Sequence, residues 1–170
     1  MNRVLRILAV AVLLATVAGA CVCLYGVKMM TPQVEQITVT ATPAAQVQET
    51  YDGVLAALDQ EMFTGRVYTD TAGISAQDCT FLTYTVRLKN RGFFPAEWIS
   101  LTVIPREEGA DGSRDILMLP ADSARVLGAG AMGDLAATVL TVGGQGETRR
   151  VLEVSCYVFG RKVAFQVDAQ

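Results

Sequence analysis

Residues 152–168 read LEVSCYVFGRKVAFQVD. Apolar and polar side chains alternate on both sides of a Gly-Arg step, the pattern of two antiparallel strands joined by a tight turn. If Gly160 and Arg161 form a two-residue type II′ turn, Gly160 takes the positive-φ position. Val158 then faces Val163, Cys156 faces Phe165 and Val154 faces Val167. Those pairs are all apolar, whereas Tyr157 with Ala164 and Ser155 with Gln166 fall on the opposite face. A register that satisfies turn chemistry and face pattern together predicts a hairpin with one buried side.

The same grammar extends upstream. TFLTYTVRLK (80–89) puts Leu82, Tyr84, Val86 and Leu88 on one face, NRGFFPAE (90–97) turns the chain, and WISLTVIP (98–105) aligns Ile99, Leu101 and Val103. DILMLP (115–120) and SARVL (123–127) read as short strands and LAATVLTV (135–142) as a longer one. Residues 66–170 are therefore expected to be all-β, a two-sheet antiparallel sandwich.

The N-terminal part differs. Residues 1–6 are a short cationic start, read as cytoplasmic, and Ile7–Val27 is a run of 21 residues without a charge. A helix of that length spans a hydrocarbon core of roughly 30 Å. Arg3 and Arg6 favour an N-in, C-out orientation, so the expected location is a single-pass membrane protein with its C-terminal domain extracytoplasmic. Ala18-Gly19-Ala20 also offers a signal-peptide cleavage pattern, and cleavage there would leave Cys21 first, open to lipidation. All three readings export the rest of the chain. Residues 28–42 read as a connector with two Thr-Pro steps. From 43 to 64 an amphipathic helix is expected, with Thr42 as cap, Pro43 first, an apolar stripe of Val47, Tyr51, Val54, Leu55, Leu58 and Met62, and Gly65 after its end.

YTVRLKNRGFFPAEWISLTV followed by LGAGAMGDLAATVLT resembles immunoglobulin-like modules of bacterial surface proteins, particularly the CARDB-like class. In those modules a strand ends in Asn-x-Gly and a later Leu-x-x-Gly loop precedes a long strand; Asn90, Gly92, Leu127 and Gly130 occupy those places. The likeness covers roughly the last 90 residues and implies an adhesion or assembly role without catalytic residues.

Composition narrows the chemistry. The chain has no histidine, which removes His-based nucleophile pairs, zinc sites and pH switches. No acid precedes Glu35. Setting aside Arg3, Arg6 and Lys28, which flank the apolar run, leaves 11 of the 14 cations against 17 acids, a net of −6 for the remainder. That balance does not suit nucleic acid. A non-enzymatic domain without cofactor is expected, its partners being the membrane through residues 7–27 and an unknown protein or envelope component. A secreted or lipid-anchored module binding glycan or peptide is the alternative.

Gly128, Gly130 and Gly133 form a Gly-x-Gly-x-x-Gly string, which in an oxidoreductase fragment would cradle a dinucleotide at a helix N-terminus. Thr138, Val139, Thr141 and Val142 crowd that supposed helix with β-branched residues, and only 37 residues follow Gly133. A loop before a strand explains the string better. Glu107, Glu108, Asp111, Ser113 and Asp115 are oxygen donors for Ca²⁺, but Arg106 and Arg114 among them favour a solvated loop. Cys79 and Cys156 are a candidate disulfide that needs a bend near Asp78; otherwise they are separate thiols. Phe93, Phe94 and Trp98 are expected to plug one end of the core, with contact to a partner or to the membrane surface as the other role.

Overall fold

A computed structural model of the chain describes residues 3–21, 26, 31–71, 73–106, 112–143 and 148–169. Helix α1 (Arg3–Cys21) comprises 19 residues, none of them buried. It is long and apolar enough to cross a membrane. Except for Gly26, the last part of the expected span, 22–27, lies outside the described residues, as do the first connector residues 28–30 and the acidic segment 107–111.

The rest folds as two antiparallel sheets. One has the order β1 (Gln33–Pro43), β3 (Cys79–Lys89), β7 (Met132–Val142), β5 (Arg114–Met118) and β2 (Arg66–Val67). The second runs β6 (Ser123–Leu127), β4 (Ala96–Val103), β8 (Arg150–Val158) and β9 (Arg161–Ala169). Between β3 and β8 the chain changes sheet at every link. Each sheet therefore closes only when long-range partners meet.

The main core lies between the sheets. Leu82, Tyr84, Val86 and Leu88 of β3 meet Ile99, Leu101 and Val103 of β4 and Val154, Cys156 and Val158 of β8. These are the faces that two-residue alternation selects. Burying each aliphatic side chain contributes about 1.5–3 kcal/mol, so this layer dominates the stability.

A second core sits on the other side of the first sheet. Helix α2 (Gln48–Asp59), preceded by one 3-10 turn over Ala44–Val47, lays Tyr51, Val54, Leu55 and Leu58 over Cys79, Phe81, Ile116 and Leu140. The residues of β3 that read as its polar side are thus covered at that end.

Three expectations change. The segment read as a connector folds as strand β1, paired with β3 from Gln33↔Lys89 to Pro43↔Thr80. Its run Ile37–Thr38–Val39–Thr40 is β-branched, and Pro43 is tolerated because β1 is an edge strand. The amphipathic helix consequently starts at Gln48 rather than 43 and ends at Asp59. Gly65 does not cap it; Glu61 does, with φ 56°, while its N–H donates to Leu58 O and that of Met62 to Ala57 O. This is a Schellman end built on a residue that adopts left-handed φ at a cost. Glu61→Gly should stabilise the chain by about 0.5–1 kcal/mol, read as a higher urea midpoint with unchanged slope.

The third change concerns the last hairpin. The turn is Phe159-Gly160, with φ 52° and 70°, a type I′ turn, and Val158 pairs with Arg161, Cys156 with Val163 and Val154 with Phe165. The register has slid by one pair, two residues along β9, so every side chain keeps its face.

Candidate functional site

Asn90, wholly buried, directly follows β3 and organises the turn after it. Its Nδ2 donates to Phe94 O at 2.8 Å and Leu127 O at 2.9 Å, and its Oδ1 accepts from the Gly92 N–H at 2.9 Å. Its backbone carbonyl accepts from the Gly130 N–H at 2.8 Å and its N–H donates to Ala131 O. Asn90, Gly92, Leu127 and Gly130, the residues that carry the resemblance, therefore converge in one hydrogen-bonded knot between two loops. The glycine string is part of it: Gly130 takes φ 72°, and the chain then enters β7, antiparallel to β3. The helix that a dinucleotide would require is absent, since residues 132–142 are strand.

The knot holds up an aromatic surface. Phe93 is 87% exposed, Trp98 64% and Phe94 42%, which overturns the expectation that they plug the core. Leu127 and Ala96 fill that position instead. Phe159 joins them from the hairpin tip, its ring centroid 4.2 Å from that of Phe94. Trp98 sits at a bulge where the register between β4 and β8 shifts, with φ 50°. Trp98 and Phe159 are both bulky residues in the left-handed region, each costing roughly 1–2 kcal/mol. Such strain persists where surrounding structure enforces it, often at functional positions. Sequence reasoning missed Phe159 and read Trp98 as part of a core plug, although alternation with Ile99, Leu101 and Val103 already sets it on the outer face. Nothing in the pattern marked Phe159, because a type I′ turn favours Asn, Asp or Gly where Phe159 takes positive φ.

Beside the rings, Arg91 Nη2 meets Glu35 Oε1 at 2.7 Å, which ties the aromatic loop to the start of β1 and holds the exposed Glu35 carboxyl below its ordinary pKa. Glu97, Trp98, Tyr157 and Gly160 border a shallow hollow of about 340 Å³.

The opposite end carries a different feature. Arg150 and Asp115, side chains 3% and 0% exposed, form a two-bonded ion pair: Nη2 to Oδ1 and Nε to Oδ2, both at 2.9 Å. Asp115 also accepts from the Arg106 N–H, and Arg150 Nη1 donates to Arg149 O. A hollow of about 530 Å³ opens there between Pro105, Arg106, Arg149 and Asp168. The Arg150 charge is committed to Asp115 rather than to this hollow. Asp115 is likewise committed and unsuited to ligate Ca²⁺; Glu107, Glu108 and Asp111 lie outside the described residues. Among the described residues no three Cys, Asp or Glu side chains are grouped to hold a metal ion.

Cys79 and Cys156 are separate buried thiols rather than a disulfide. Cys79 faces the helix-covered core and Cys156 the core between the sheets, on opposite sides of the first sheet. Burial, with the Asp78 charge beside it, pushes the Cys79 thiol up to about 11, and burial raises Cys156. In a chain carrying Cys21→Ser and Cys23→Ser, both should resist a thiol reagent at mildly alkaline pH and react fully in denaturant without reductant. Recovery of fewer than two thiols would contradict this arrangement. Cys21 closes α1 and is exposed.

No family model matches the chain, and no curated protein matches it.

Proposed function

We propose that the chain is a single-pass membrane protein whose immunoglobulin-like β-sandwich lies outside the cytoplasm and serves as a non-catalytic interaction or assembly subunit of the cell envelope. The observation that carries this reading is α1. A 19-residue apolar helix has no buried residue against the two-sheet domain, so its apolar surface is left for lipid. Arg3 and Arg6 ahead of it support the N-in orientation. The Asn90 knot supports kinship with CARDB-like modules, because the four residues of that resemblance act as one structural unit. The strained aromatic end supports a binding rather than a chemical role.

The test is topology. The full chain should stay with membranes through alkaline carbonate washing, and a C-terminal reporter active only outside the cytoplasm should be active. Release by carbonate, or a silent reporter, defeats the proposal. The hollow between Trp98, Tyr157 and Glu97 favours a second reading, a lipid-anchored module binding glycan or peptide, since a ring beside a carboxylate suits sugar hydroxyls. Cys21→Ala separates the two: loss of mass and of membrane association would indicate a lipid anchor.

A further inference from the structure

The aromatic end is also the end by which the β-domain is tethered. Strand β1 begins at Gln33, opposite Lys89, the last residue of β3. The aromatic loop starts directly after it, and the Arg91–Glu35 pair binds that loop to β1. Lys89 in turn faces Met132, which is 63% exposed. Between Val27, the end of the span read from the sequence, and Gln33 lie five residues, a reach of at most about 18 Å. Strand β3 alone, with 11 residues, is about 36 Å long. The chain therefore holds the aromatic end close to the membrane surface and cannot hold the opposite end there without folding the domain back on its tether.

We propose that Phe93, Phe94, Trp98 and Phe159 rest in the headgroup region of the bilayer that α1 crosses, so that the domain lies docked on lipid rather than swinging on its linker. This rests on the anchored reading of α1 given above. The surface fits lipid better than a folded partner. Phe93 stands out from a loop tip, and aromatic rings concentrate at membrane–water interfaces. Arg161 and Lys162 are exposed beside Phe159, where cations draw anionic headgroups. Of the carboxylates at this end, Glu35 is paired with Arg91 and Asp134 with Arg87, which leaves Glu97 facing the cations. The Asn90 knot and the Phe94–Phe159 contact hold those two rings in one direction, so docking them sacrifices little freedom.

Trp98 is the single tryptophan of the chain and reports the contact directly. The full chain would be reconstituted into phosphatidylcholine–phosphatidylglycerol vesicles, with the phosphatidylcholine brominated near the top of its acyl chains. Trp98 emission should shift to the blue and lose most of its intensity relative to unbrominated vesicles. Phe93→Ser with Phe94→Ser should restore most of that intensity while the chain still floats with the vesicles. A chain that floats but shows unquenched, water-like Trp98 emission overturns the docking and leaves the anchor intact. A blue shift without bromine quenching also overturns it and points to a protein contact, including a second copy of the chain. Failure to float overturns the anchor and the docking together.

Discussion

Replacing Asp115 by Asn should destabilise the β-domain by about 3–5 kcal/mol, although the side chain keeps its shape. Arg150 is 97% covered and spends Nε and Nη2 on the two Asp115 oxygens. A neutral amide offers one acceptor oxygen and turns an N–H₂ toward the guanidinium, leaving a buried cation without its counter-charge. The attraction that held the pair did not exceed the desolvation of both ions by much; the loss comes from stranding one of them. Asp115→Leu combined with Arg150→Met should therefore recover most of the stability, short of the Arg106 N–H bond that Asp115 also accepts. Urea unfolding of the full chain in detergent, followed by sheet circular dichroism, gives both numbers. If the single and double variants are equally damaged, the pair is not what holds Arg106, β5 and β8 together.

Asn90→Ala should cost about 3 kcal/mol, with an effect confined to the aromatic end. The substitution removes three side-chain hydrogen bonds at a residue with no exposure and leaves Phe94 O, Leu127 O and the Gly92 N–H without partners. Each net bond contributes about 1 kcal/mol, and buried groups left unsatisfied add to the loss. Asn90→Asp should not rescue it. The carboxylate still accepts from Gly92, but it faces two carbonyl oxygens where Nδ2 had donated. The readouts are the urea midpoint and proteolysis within residues 91–95, which should accelerate in both variants. A loss under about 1 kcal/mol would show that water replaces the amide readily.

Both predictions involve contacts that a one-dimensional pattern does not carry. Arg150 and Asp115 are 35 positions apart. Nothing in the alternation of β5 or β8 marks them as partners, and Asp115 looked like one more acid in a polar loop. Asn90 was visible as half of an Asn-x-Gly turn, yet its bond to Leu127 exists only because β4 and β6 pair as Ala96↔Leu127.

The sequence by itself determined which side chains lie between the sheets. Strand faces repeat every two residues, so Leu82 through Leu88, Ile99 through Val103 and Val154 through Val158 were committed to one side whatever the partner strands. A slip of one pair in the last hairpin left that assignment intact because it moved β9 by two residues. Tertiary structure alone decided where the pattern breaks. A bulge turned Glu97 outward and Ala96 into the core, a long-range edge pairing made β1 out of a supposed connector, and α2 buried Cys79 and Phe81 on a side that alternation marked as polar. Local periodicity registers the side on which a residue lies. What covers that side, and which backbone groups are left to be satisfied, depends on elements distant along the chain.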